Sequence, residues 1–256
     1  MTHPGFELWG RTALVTGSSR GIGRILAQGL VEAGCTVVLN GHDEDRLESA
    51  RAELSARTGG SVHAVVFDVT DPAAVESGVA TVEDRVGPLD ILVNNVGAQH
   101  RAPLLEFPDE HWYRLLDTNV TSAFLVGRAA ARRMVPRGAG KIVNIVSLQS
   151  EVARAGIAPY AATKGALKML TKGMCADLAP AGIQVNAVGP GYIATELTAD
   201  LVSDPDFDAW VRGRTPAGRW GEPADLVGPV LFLCSPAADF VNGQILYVDG
   251  GMLAVL

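Results

Sequence analysis

Seven short, near-continuously apolar runs punctuate the chain, at residues 12–16, 36–40, 62–67, 91–94, 142–146, 185–188 and 245–248, and longer segments of helical period lie between them. A strand that is apolar on both faces is one buried on both faces, the condition of a parallel sheet covered by helices on either side. The alternation predicts an α/β fold: one doubly wound domain over residues 1–256, with a seven-stranded parallel sheet and helices on both faces. Helices are expected at 22–33, closed by Gly34, at 44–58, closed by Gly59, and at 72–86, opened by Asp71 and Pro72 and closed by Gly87. Others are expected at 109–134, bent near Asn119, at 159–178 and at 224–234. The segment 192–221 contains Pro205, Gly213, Pro216 and Gly218 and reads as a surface excursion, a mobile substrate lid.

With 28 acidic against 21 basic side chains the net charge is −7, which opposes attraction to nucleic acid or an anionic membrane. The longest uncharged apolar stretch, 226–238, is too short to span a bilayer, and residues 1–10 show no basic start followed by an apolar segment. Cys35, Cys175 and Cys234 are scattered without Cys-x2-Cys spacing, so neither a disulfide framework nor a zinc site is expected, and a reducing cytoplasm fits.

Directly after the first run stands Thr16-Gly17-Ser18-Ser19-Arg20-Gly21-Ile22-Gly23, leading into a helix. Glycines there allow a tight turn and close approach to a pyrophosphate, while the helix start supplies N–H groups and positive dipole. Taken alone, the octet also fits a ligand-free strand–helix turn. Together with Asp68, Asn94-Asn95-Val96-Gly97, Asn119, Ser147, Tyr160-x3-Lys164 and Pro190-Gly191-x3-Thr195 it resembles the classical short-chain dehydrogenase/reductase family over nearly the whole chain. Val96 departs from that pattern, standing where the family carries alanine.

The resemblance implies a Rossmann-type fold and a nicotinamide dinucleotide held by Gly17, Ser19, Arg20, Gly21, Ile22, Gly23, Asn40, His42, Asp68, Val69, Asn95, Val96, Gly97, Tyr160, Lys164, Pro190, Gly191, Ile193 and Thr195. An acid at the end of the second strand would bond the ribose hydroxyls and repel a 2′-phosphate. Asn40-Gly41-His42 offers none before Asp43, and Arg20 can reach the phosphate, so NADP is expected rather than NAD. His42 stands where relatives often carry arginine, and the alternative for Arg20 is a solvent-facing side chain.

Tyr160 and Lys164, four apart on a helix, project from one face. By resemblance Tyr160 carries the proton, Lys164 holds the nicotinamide ribose and favours the phenolate, Ser147 binds the substrate oxygen and Asn119 holds a water that completes a relay. The reaction implied is hydride transfer between nicotinamide and a secondary alcohol or ketone, with no metal. Segments 99–104, 147–151, 155–160, 214–221 and 240–244 resemble the branch acting on gluconate and 5-keto-gluconate, the gluconate 5-dehydrogenases.

A sugar acid wants a cation for its carboxylate and polar groups for its hydroxyls. The substrate residues expected are Arg101, Ser147, Gln149, Glu151 and Tyr160; Arg101 could instead pair with Glu106 or Asp109. His100 and His111 are expected to face solvent. Two other readings stand: a 3-oxoacyl thioester reductase of the same family, its carrier protein met by Arg128, Arg132 and Arg133, and a nucleotide-binding sensor without turnover. The uncharged tail 251–256 and the family habit predict a homotetramer.

Overall fold

The computed structural model describes residues 4–255; residues 1–3 of the N-terminal stretch and Leu256 of the apolar tail lie outside it. The strands are β1 (Thr12–Val15), β2 (Thr36–Gly41), β3 (Val62–Val66), β4 (Leu89–Asn94), β5 (Gly140–Ile145), β6 (Ile183–Pro190) and β7 (Ile245–Val248). All pair in parallel in the order β3-β2-β1-β4-β5-β6-β7. The helices are α1 (Gly21–Glu32), α2 (Glu44–Thr58), α3 (Pro72–Arg85), α4 (Asp109–Leu116), α5 (Ser122–Met134), α6 (Ala158–Leu178), α7 (Ala199–Val202), α8 (Pro205–Arg214) and α9 (Val227–Cys234).

Period-two alternation along the strands divides the core between two faces. Ala13 and Val15, Ile91 and Val93, Val143 and Ile145 pack with Leu30 of α1, Leu47 of α2 and Val230 of α9. Leu14, Leu92 and Ile142, at the alternate positions, pack with Val79 of α3 and Val126 of α5 on the opposite face. The chemistry of the helix starts is local: the Asp71 carboxylate accepts from the N–H groups of Ala73 and Ala74 at 2.8 and 3.1 Å, with Pro72 in the first turn of α3. α1 differs, for it begins straight from the glycine turn with no capping side chain.

The bend expected near Asn119 is a turn of π-helix, Asp117–Thr121, between α4 and α5. The excursion at 192–221 is less irregular than its prolines and glycines suggest. It carries α7 and α8, and α8 opens on Asp204, which accepts from the N–H groups of Asp206 and Phe207 at 3.0 and 3.2 Å. Its feet are joined by a bridge between Ile193 and Gly221. The last long helix starts later than its sequence suggests: Pro223–Leu226 is a 3-10 turn and α9 follows.

β1 has β2 on one side and β4 on the other, so the chain departs from it in opposite directions. The crevice beyond the C-terminal ends of β1 and β4 is where such a sheet places its ligands.

Candidate active site

The crevice is floored by the turn from β1 into α1. Gly17 and Gly21 adopt φ of +61° and +57°, the left-handed region that a side chain disfavours. Gly23 is needed for closeness: a Cβ there would stand 2.4 Å from Asn95 Nδ2 and 2.5 Å from the Gly17 carbonyl oxygen. Asn95 in turn braces the turn, its Nδ2 donating to the carbonyls of Thr16 and Gly17 at 3.0 and 3.1 Å. Thr16 Oγ1 accepts from Asn95 N–H at 3.0 Å, tying β4 to β1 at their tips. The Val96 side chain packs against Gly17, where a Cβ would come within 2.9 Å of its Cγ2.

One cleft is lined by Gly17, Ser19, Arg20, Gly21, Ile22, Asn40, His42, Asp68, Val69, Asn95, Val96, Gly97 and Thr195, so most of the expected cofactor positions meet there. Asn40 donates to the carbonyls of Val65 and Phe67 at 3.3 and 3.1 Å, and its Oδ1 is buried without a partner. Asp68 accepts from Thr70 N–H and Oγ1 at 2.8 and 2.7 Å, which holds its carboxyl below the usual range. Asp43 is spent on its own helix: it accepts from Arg46 N–H at 3.0 Å and lies 3.6 Å from the Arg46 guanidinium. Arg46 also lines the cleft and was not anticipated from the sequence; its place three residues after a helix-capping aspartate was the available signal. Arg20 is exposed at the rim of the cleft, its Nη1 3.5 Å from Glu196 Oε2 at the foot of the excursion.

A second cavity adjoins the first and shares Ile22, Asn95, Gly97, Thr195 and Leu197 with it. It brings together Ser147, Gln149, Tyr160, Lys164, Pro190, Gly191, Ile193 and Arg101, as expected, and adds Arg154 and Tyr192, which were not. α6, which carries Tyr160 and Lys164, is fixed to the sheet by a buried amide chain. Asn94 Nδ2 donates to Asn144 Oδ1, and Asn144 Nδ2 to Thr171 Oγ1, each at 2.9 Å. Lys164 Nζ donates to the Ile145 carbonyl at 2.8 Å and stands 5.9 Å from the centre of the Tyr160 ring. Burial pulls its ammonium down to about 8.

The Tyr160 phenol is pushed up by burial, against the pull of a hydrogen bond with Ser147 and the charge of Arg101. Lys164 is not among the groups acting on the phenol here; those opposing burial are Ser147 and Arg101. Ser147 Oγ donates to Gln149 Oε1 at 2.6 Å and accepts from Gln149 N–H at 3.2 Å. Asn119 is fully buried in the π-turn; its Oδ1 accepts from Ala98 N–H at 2.7 Å, and its Nδ2 donates to the Ala98 carbonyl and Thr163 Oγ1 at 3.0 and 2.9 Å. A Cβ on Gly97 would lie 3.4 Å from Lys164 Nζ and 3.5 Å from Asn119 Oδ1, so these groups meet under Gly97.

Glu151 is not in this cavity, although a place beside Ser147 was expected for it. Its carboxylate pairs with Lys168 and accepts from Tyr247 Oη at 2.7 Å, since a 3-10 turn at Leu148–Ser150 carries the chain away. Arg101 pairs with neither Glu106 nor Asp109; it donates to Gln99 Oε1 at 2.9 Å at the mouth. His100 and His111 do not face solvent separately but stack, with ring centres 3.8 Å apart. Among the described residues no helix is long and apolar enough to cross a membrane, and no three His, Cys, Asp or Glu side chains gather as metal ligands.

Residues 17–253 match the family model described as enoyl-(acyl carrier protein) reductase. Gluconate 5-dehydrogenase of Gluconobacter oxydans (strain 621H) is 56% identical over 257 residues, covering 100% of both chains. The 5-keto-D-gluconate 5-reductase of Escherichia coli (strain K12) is 48% identical over 251 residues and 98% of both. The crystal structure of a gluconate 5-dehydrogenase from Burkholderia cenocepacia J2315, in complex with NADP and tartrate, superposes with a TM-score of 0.96 at 51% identity over 99% of each chain.

Proposed function

The chain belongs to the short-chain dehydrogenase/reductase family, and from that premise we propose that it is an NADP(H)-dependent oxidoreductase interconverting gluconate and 5-keto-gluconate. The observation that carries the reading is the meeting of Ser147, Tyr160 and Lys164 in one cavity with two arginines at its mouth, beside the glycine-floored cleft.

The residues present fit the dinucleotide. The uncapped N–H groups of α1 suit the pyrophosphate. Arg20, His42 and Arg46 surround the place a 2′-phosphate takes, and Asp43, whose carboxylate is already engaged by Arg46, offers it little repulsion. Asn40, which lines the same cleft, has a buried Oδ1 without a partner. Pro190, Gly191, Ile193 and Thr195 form the wall on the nicotinamide side. When bound, NADP(H) supplies or accepts the hydride.

Tyr160 gives its proton to the carbonyl oxygen as the ketone is reduced and takes it back on oxidation. Burial keeps the phenol protonated, the form that ketone reduction needs, but makes it a weaker acid, and Ser147 and Arg101 ease the release of its proton. Ser147 has one hydroxyl proton, directed at Gln149, and turns it to the substrate oxygen. Lys164, poised near neutrality, resupplies Tyr160 and is itself linked to solvent by a water held at Asn119. The excursion at 192–221 closes over the mouth as a lid. A cytoplasmic homotetramer completes the reading, supported by three free cysteines and by apolar side chains left exposed at Phe240, Leu246 and Val255.

A 3-oxoacyl thioester reductase would want an apolar channel here, and Arg132, one of its supposed carrier-protein contacts, already pairs with Glu76. The deciding assay follows NADPH oxidation with 5-keto-gluconate beside an acetoacetyl thioester at matched concentrations. Faster turnover of 5-keto-gluconate is expected; preference for the thioester overturns the substrate, and silence with both overturns the enzyme.

A further inference from the structure

Two guanidinium groups, those of Arg101 and Arg154, line the cavity that holds Ser147 and Tyr160. Burial first, and the charge of Arg154 second, hold Arg101 below the usual arginine range, with Asp200 of α7 the acid pulling the other way. Among the described residues neither arginine forms an ion pair. Arg101 donates to the neutral Gln99 side chain, and Arg154 Nη1 donates to the carbonyl of its own neighbour, Ala155, at 3.2 Å. Arg154 Nε is buried with no acceptor at all. Two like charges, partly stripped of water and without a counter-ion, repel each other unless an anion is placed between them. A carboxylate answers the planar fork of a guanidinium with two parallel bonds.

Arg154 also has a specific aromatic neighbour. Its guanidinium carbon lies 5.1 Å from the centre of the Phe207 ring on α8. Phe207 packs on Tyr192, Trp210 and Trp220, with ring centres 5.4 to 6.3 Å apart. Tyr192 lines the cavity and feels the charge of Arg154. Arg154 thus joins the substrate cavity to the aromatic cluster within the excursion.

We propose that Arg154 is a specificity-determining residue that, with Arg101, binds the carboxylate of the sugar acid, and that its stack on Phe207 transmits this binding to the segment 192–221. The proposal rests on the sugar-acid reading above. Its test compares 5-keto-gluconate with L-sorbose, in which a hydroxymethyl group replaces the carboxylate, using wild type and Arg154→Gln with NADPH. The variant is expected to raise KM for 5-keto-gluconate on the order of ten-fold or more while kcat changes little and kcat/KM for L-sorbose is unmoved. Titrating gluconate into the NADP-loaded wild type should shift the tryptophan fluorescence of Trp210 and Trp220, and the shift should vanish in Arg154→Gln. Arg154→Lys, which keeps the charge without the fork, should fall between and serves if the glutamine variant does not fold. Equal losses on both ketones, or an unchanged KM for 5-keto-gluconate, overturns the role of Arg154 alone. A wild type that reduces L-sorbose but not 5-keto-gluconate overturns the sugar-acid reading and this proposal with it.

Discussion

Lys164 is buried at 4% exposure with one carbonyl for its ammonium, and the cost of charging it there has a measurable sign. Its folded value near 8 lies below the ordinary 10.5, so between those limits the unfolded chain holds more protons and stability rises with pH. Urea unfolding of the apoprotein should gain up to about 3 kcal/mol from pH 7.5 to 10 relative to Lys164→Met, in which the slope is lost. A wild type as flat as the variant would show that the ammonium is solvated. Tyr160→Phe removes the proton carrier and should cost roughly 10²-fold or more in turnover while NADPH binding persists, as nucleotide fluorescence reports; normal turnover would assign the proton elsewhere. Both residues were legible because the Tyr-x3-Lys pair stands with Ser147 and Asn119 in a pattern that resembles a known family; the spacing alone is common. Glu151 was misread because its neighbour Ser147 is in the cavity and a single 3-10 turn separates their directions. Arg154 was illegible: no spacing marks it, and only folding brings it beside Arg101 and Phe207.

At the scale of elements, alternation and capping carried most of the information. Strands with both faces buried declared themselves, and Asp71 and Gly59 marked helix ends as their chemistry requires. The excursion was the failure, since Asp204-Pro205 is a helix start that the surrounding prolines and glycines obscured. The π-turn is the element most open to test. Asn119→Ala leaves the Ala98 N–H and carbonyl and the Thr163 hydroxyl without their partner in a buried place. The expected loss is about 1–3 kcal/mol in chemical unfolding, together with reduced turnover. A variant as stable as the wild type would mean that water replaces the amide there.

For the molecule as a whole, the run of strand–helix units announces a seven-stranded parallel sheet but not the order of its strands, and surfaces do not announce their partners in sequence. Phe240 is fully exposed, and Phe124 and Met169 are 41% and 60% exposed on α5 and α6. Light scattering at micromolar concentration should therefore give the mass of four chains, and Phe240→Asp should shift the population toward smaller species; a monomeric wild type would count against the tetramer. One small feature has reach beyond stability. The feet of the excursion are stitched together, Ala194 N–H donating to the Gly221 carbonyl and Gly221 N–H to the Tyr192 carbonyl, each at 2.9 Å. Because that stitch already holds the ends side by side, the stretch between them can be exchanged for another of different length without reopening the sheet. Diversification of substrate range in such a scaffold then needs only a cassette swap beyond Thr195, which leaves the nicotinamide wall and the proton chemistry as they were.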